Sequence, residues 1–345
     1  MLLDFSRKGK TDGKVEQERN RIRLLLAIYN HKWLTVRQLG VLGWPRQSVE
    51  AQRVSAFRFI KTAIKDGLLL ERKIERLGGT IAALSKRGAR WMGQHGYSCI
   101  GAEQWGEVEN GTWFPASNYF HDFMINEFLI VSHAQKMQDF YDSIAYFDSG
   151  HRQPHEFRYI NERELKKSNK MAQVPDGVVW DESIRDHFLA NELPVRFIEC
   201  ESYRKTGRKM NKMLTSAIQR YKSSNTSISM WLHPLQVEQG IKERLTFGQA
   251  KTVFIYDVQQ RDERGYRIDH KKRIVQGVHR LISNKNGWWR LMGDETRDFE
   301  MDFAPFDSVT MQFLPEETIK VRRPGIPTVE EEDEDEFDYH RQDYW

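Results

Sequence analysis

The fold turns on the stretch Val195–Lys205, VRFIECESYRK. It reads as a β-strand running into a core, yet it sets two glutamates one residue apart within an apolar run. Side chains alternate between the two faces of a strand. Glu199 and Glu201 therefore share a face with Phe197, while Ile198 and Cys200 take the other. Neighbouring carboxylates on a half-buried strand repel each other and lose hydration. Something must offset that cost, and the flanking sequence narrows what it is.

Upstream, SIAYFDSG (143–150) and AQVPDGVVW (172–180) read as two more strands, the second with Pro175 and Asp176 near its middle. Before them, SNYFHDFMINEFLIVSHAQKM (117–137) is a helix that is apolar on most sides, yet it carries His121, Asp122, Asn126 and Glu127. Buried polar groups have partners, so these are either satisfied core groups or parts of a site. Downstream come a basic helix, TGRKMNKMLTSAIQRYK (206–222), and a strand, TVFIYDV (252–258). Helix, three strands, helix and strand predict a compact α/β unit within residues 117–320.

Residues 14–97 predict a winged helix-turn-helix. VEQERNRIRLLLAIYNHKW (15–33) repeats apolar residues at helical spacing, with Ile22, Leu25, Leu26 and Tyr29 on one face. Thr35 followed by Gln38 fits a capping box, so a short helix starts there and Gly40 and Gly43 help to end it. After Pro45 a third helix carries an apolar stripe of Val54, Phe57, Ile60 and Ile64, with Arg46, Gln47, Arg53, Arg58 and Lys61 among its polar positions. LLLERKIERLGGTIAALS (68–85) is hairpin material and forms the wing, and SKRGARWMGQHG (85–96) closes the module as a helix. Such a module presents Arg and Gln to a major groove and offers Arg72, Lys73 and Arg76 to phosphates. The same fold also serves protein contacts. Residues 98–116 read as a linker.

The whole chain of 345 residues has room for two domains of ordinary size. No apolar run approaches the roughly 20 residues that span a bilayer, so no membrane insertion is expected. The presence of only two cysteines, Cys99 and Cys200, argues against a disulfide framework, and no signal-peptide pattern opens the sequence. A cytoplasmic setting is the expectation. The net charge of +4 hides an asymmetry: Glu330–Trp345 holds nine acids and Arg341, a charge of −8, which leaves +12 on the rest. A basic body suits a polyanionic partner. Residues 328–345 are too acidic to form a core and are expected to be disordered. The tail also holds Phe337, Tyr339, Tyr344 and Trp345. It suits either a mimic of DNA that competes for the basic body or a peptide that docks on a partner.

Pro175–Asp176, with Glu199 and Glu201 on the next strand, resembles the PD-(D/E)xK nuclease core. That resemblance implies a restriction-endonuclease-like mixed sheet, in an α+β or α/β chain, and makes Asp176, Glu199 and Glu201 catalytic ligands of Mg²⁺ or Mn²⁺. Hard divalent cations take oxygen ligands, and a bound water becomes a nucleophile. Such an ion would also relieve the repulsion between the two glutamates. Glu201 stands where the family usually has lysine. Lys205 and Lys209 are the candidate replacements, and Arg208 and Lys212 the candidate DNA contacts beside them.

A narrower resemblance joins both modules over roughly residues 15 to 260. A winged helix, the helix HDFMINEFL (121–129), PDG (175–177), an acid-x-acid strand and a basic helix resemble the replication-relaxation family, which includes the MobC-type relaxases of mobilisable plasmids. It implies a DNA nickase that binds a transfer origin on duplex DNA and releases a single-stranded product. It further implies that His121 and Asp122 belong to the site and that Glu127 is an extra metal carboxylate. A conjugation coupling protein or an auxiliary relaxosome protein is then a candidate partner of the tail. The alternatives are a non-catalytic replication or transcription regulator on a degenerate nuclease fold, and a nuclease that cuts both strands. No His-hydrophobic-His triad is present, since His151 and His155 are separated by RQP. Activated water is thus the simpler nucleophile, with Tyr203 as the challenger. WWRLM (288–292) and SVTMQFL (308–314) read as late strands, and Trp288 and Trp289 either stack on bases or pack on the core.

Overall fold

The computed structural model describes residues 13–45, 47–104, 106–109, 112–116, 118–130, 157–168, 174–181, 195–201, 207–222, 226–230, 243–247, 250–283, 285–293 and 298–324. Arg46, His151, His155, Tyr203, Lys205, the strand expected at 143–150 and the tail 328–345 lie outside them.

The first module runs α1 (Gly13–Asn30), β1 (Trp33–Thr35), α2 (Val36–Gly43), α3 (Val49–Lys65), β2 (Leu69–Ile74), β3 (Gly79–Leu84) and α4 (Lys86–Gln94). Its three strands are ordered β1-β3-β2, all antiparallel. Thr35 caps α2 through the expected box: its hydroxyl accepts from the Gln38 N–H, and the Gln38 side chain accepts from the Thr35 N–H. Gly40 sits inside α2 and does not end it. A Cβ there would stand 2.9 Å from the Gln52 carbonyl oxygen, so glycine lets α3 approach closely.

That approach corrects the expected stripe on α3. Ala56, Ile60 and Ala63 are the buried residues, one helical line in which two positions are small. Ile60 and Ile64 of the expected stripe face the core, whereas Val54 and Phe57 are turned outward, 37% and 49% exposed, with Val49 at 75%. At the wing, Gly78 takes the left-handed conformation, φ +64°, that closes the hairpin.

The expected linker at 98–116 holds a hairpin, β4 (Glu107–Glu109) with β5 (Thr112–Phe114), pinned by the buried Trp113, whose indole N–H donates to the Ala102 carbonyl at 3.2 Å. Then follow α5 (119–130), β6 (Phe157–Asn161), α6 (Glu162–Ser168), β7 (Gly177–Asp181), β8 (Val195–Glu201), α7 (Gly207–Lys222), β9 (Thr226–Met230), β10 (Glu243–Phe247), β11 (Ala250–Asp257), α8 (His270–Ile282), α9 (Lys285–Leu291), β12 (Phe299–Asp307), β13 (Gln312–Phe313) and β14 (Glu317–Val321). The chain is α+β. Its large mixed sheet is ordered β13-β12-β11-β8-β7-β6, with β14 also on β12. β8, β11 and β12 are parallel neighbours, while β6, β7 and β8 pair antiparallel.

Both faces of this sheet are covered. Ile198, Cys200, Val253, Ile255, Ala304 and Phe306 pack against α5 and against Trp33, Leu77, Ile81 and Ala83 of the first module. Phe254, Tyr256, Met301 and Phe303 pack against α7, α8 and α9. The strand expected to hold Asp176 begins one residue beyond it, at Gly177. Pro175 has no N–H to give to a ladder, so regular pairing starts after it. WWRLM is not a strand: Trp288, Trp289 and Leu291 lie in α9, where the three-residue spacing of Trp288 and Leu291 buries both and leaves Trp289 exposed. Of SVTMQFL, only Gln312–Phe313 is strand.

Candidate functional site

The register of β8 fixes where the two glutamates point. Ile198 and Cys200 lie in the cluster on the α5 side. Glu199, opposite Phe254, and Glu201, opposite Tyr256, belong to the other face, beneath α7. Both are buried. The Arg220 guanidinium donates to Glu199 Oε1 at 2.6 Å and lies 4.9 Å from the Phe197 ring centre. Arg220 is itself buried, on the stripe of α7 that carries Met213, Ala217 and Tyr221. It is not among the residues that the sequence singles out by motif, although an arginine on an apolar helical stripe is a readable signal.

His121, Asp122 and Glu127 lie on α5, across the sheet from the glutamates. Asp176 joins them from the loop before β7. His121 Nε2 is 3.5 Å from Asp176 Oδ2, and that same oxygen accepts the Cys200 backbone N–H at 2.7 Å. His121 Nδ1 is 3.6 Å from Asp122 Oδ1, which accepts from Lys32 Nζ at 2.7 Å. Lys32 also lies 3.5 Å from Glu162. A chain of alternating charge thus runs from the turn before β1 to the middle of the large sheet.

The titration of these groups follows their neighbours. Burial works against a charged His121, but the Asp176 charge and the hydrogen bond to Asp122 outweigh it and raise its pKa to about 10. Burial likewise opposes the charges on Lys32 and Asp122, but the Asp122 charge outweighs it at Lys32 and raises the amine, while the hydrogen bond to His121 and then the Lys32 charge outweigh it at Asp122 and lower the carboxyl. His31 has no such help: burial holds it near 4, neutral, with Nδ1 2.8 Å from the Ala27 carbonyl. Lys32 keeps a left-handed backbone, φ +66°, because Asn126 of α5 donates to the carbonyls on either side of it, His31 at 3.2 Å and Trp33 at 3.1 Å.

Glu127 serves the first module. One oxygen accepts from Arg37 and the other from Gln38 at 3.0 Å, so this carboxylate braces α2. Burial still pushes its pKa up, because Arg37 is half exposed and shared with solvent.

The expected metal set therefore does not converge. Among the described residues no three His, Cys, Asp or Glu side chains are grouped to hold a metal ion. Glu199 is joined to Arg220, Asp176 to His121 and the Cys200 N–H, and Glu127 to α2, and the sheet separates the first from the last. Lys209 is exposed on α7, and Arg220, not Lys209, meets Glu199.

The expected DNA contacts separate in the same way. Arg53, Arg58 and Gln47 are exposed on or before α3, and neither arginine has an ion-pair partner among the described residues. Lys61 is 3.0 Å from both oxygens of Glu71. On the wing Lys73 is exposed, but Arg72 lies 3.8 Å from the Phe114 ring centre, and Arg76 lies 4.0 Å from that of Phe120 and 3.8 Å from Asp257. These arginines dock the wing onto the rest of the molecule. Arg208 and Lys212 are exposed on α7, in the layer on the other face of the sheet.

A groove of about 1570 Å³ runs along the outer face of α3. Val49, Arg53, Val54, Phe57 and Arg58 line one side, and the turn Thr310–Gln312 lines another. No helix among the described residues is long and apolar enough to cross a membrane. Comparison with known protein families, with curated proteins and with solved structures finds no match.

Proposed function

We propose that the protein binds duplex DNA through the outer face of α3 and the β2–β3 hairpin, and that the acidic positions of its second module hold the fold together. The first module follows the element order of a winged helix-turn-helix. In the second, β7 and β8 pair antiparallel, α7 follows β8, and β11 lies parallel to β8, a run of elements that supports the PD-(D/E)xK reading. The observation that carries the structural role of the acids is their partnering. Glu199, Asp176 and Glu127 each hold a cation or an N–H donor from a different element. This is a DNA-binding replication or transcription regulator on a degenerate nuclease fold.

DNA binding is tested by titrating labelled duplex against the full chain at several salt concentrations. Each phosphate that the protein ceases to neutralise lowers the slope of log K against log salt by roughly one. The double variant Arg53→Glu/Arg58→Glu is expected to bind more weakly, with a slope smaller by about two. Unchanged affinity and slope remove α3 from the interface.

A specific observation also favours a second reading, the metal-dependent nickase. Asp176 precedes the strand that pairs with β8, and its carboxylate already touches the backbone between Glu199 and Glu201. On that reading, the protein would convert supercoiled plasmid into open circles only when Mg²⁺ or Mn²⁺ is supplied.

A further inference from the structure

The groove beside α3 combines features that nucleic acid alone does not explain. Duplex DNA offers phosphates to Arg53 and Arg58, but it offers apolar side chains little beyond thymine methyl groups. Here Val49, Val54 and Phe57 are exposed on the same face as the arginines, and Val309, 76% exposed, adjoins the turn that lines the groove. An exposed apolar patch interleaved with arginine fits a peptide that carries both acids and aromatic rings. The tail is the most acidic segment of this kind in the chain. Glu330–Trp345 carries −8 of charge together with Phe337, Tyr339, Tyr344 and Trp345.

The geometry points to the chain's own residues 330–345 as the occupant of the α3 groove, where they compete with DNA. This rests on the DNA-binding reading of α3 for its consequence, though not for the docking itself. Reach permits it. Strand β14 lies antiparallel to β12, with Val321 opposite Phe299, so the described chain ends beside the start of β12. The other end of β12, Asp307, leads into the turn that lines the groove. That run along β12 is about 26 Å. The chain from Pro324 to Phe337 spans up to about 45 Å when extended. Charge supplies the attraction, which salt screens over roughly 10 Å at about 0.1 M. The apolar contacts supply a part that salt does not remove.

The test uses the full-length protein with the photo-crosslinking residue benzoylphenylalanine in place of Phe57. Illumination is expected to join position 57 to peptides from 330–345 within one chain, and less so at high salt. Crosslinks only to other segments, or none, overturn the assignment. A product of doubled mass gives the groove to the tail of a second copy and likewise overturns it. In parallel, the acids of 330–336 are replaced by their amides, as in Glu330→Gln and Asp333→Asn. Duplex affinity at low salt is expected to rise about tenfold or more, and an unchanged affinity ends the competition claim. If neither protein binds DNA while the crosslink forms, the DNA-binding reading fails and the docking stands.

Discussion

Glu199 and Arg220 are both buried, so each is stable in its place only while the other is present. Removing one charge strands its partner at a cost of roughly 3–5 kcal/mol, whereas replacing both with apolar groups is often nearly neutral. Glu199→Ala is therefore expected to lower stability in urea by about that amount, and Glu199→Ala/Arg220→Met to recover most of it. Additive losses in the double variant would contradict the pair. Two histidines set the pH range. His31 ordinarily titrates near 6.5 and is held near 4, so its contribution is present above 6.5 and is lost as pH falls toward 4. His121 is raised to about 10, so its contribution is present below 6.5 and is lost as pH climbs toward 10. Thermal melts across this range are expected to peak near pH 6.5, and His121→Gln to flatten the alkaline side alone. Glu199 and Asp176 are legible as unusual residues in the sequence, but their partners are not. Alternation places Glu199 on a face, whereas Arg220 and the Cys200 N–H become partners only once the sheet is assembled.

Among the elements, α2 is the most legible, because the Thr35–Gln38 box is local chemistry. The orientation of α3 is not. Its large apolar residues suggest a stripe through Val54 and Phe57, but the helix faces the core with Ala56, Ile60 and Ala63, flanked by Phe59 and Ile64. Gly40→Ala puts a methyl group against the Gln52 carbonyl, which belongs to the backbone and yields poorly. A destabilisation of about 1–3 kcal/mol is expected from such overpacking, read as a lower denaturation midpoint. A midpoint at the wild-type value would mean that α3 stands further off. Helix α9 reads as a strand in the sequence because two adjacent tryptophans suit either element; the three-residue step from Trp288 to Leu291 settles it as helix.

Across the whole molecule, the two expected modules share a core. Trp33, Leu77, Ile81 and Ala83 pack with α5 and with the inner face of the large sheet, and Asn126, Glu127 and Asp122 of α5 tie down the turn before β1 and helix α2. The order of the helices and the wing in the first module is legible along the chain, because each carries its own periodicity, whereas β6, α6 and α9 of the second module are not. The division of the polar residues between the faces of the sheet is not, since it depends on which helix covers which face. On that division stands the reading of a DNA-binding protein whose acids act as structural partners. A gel of supercoiled plasmid with the full chain and Mg²⁺ or Mn²⁺, run before and after protease treatment, bears on it without intermediaries. The expected outcome is retarded plasmid that returns to the supercoiled band once the protein is digested. Open circles that require the metal and vanish in Asp176→Asn would refute the structural role of the acids and establish the nickase.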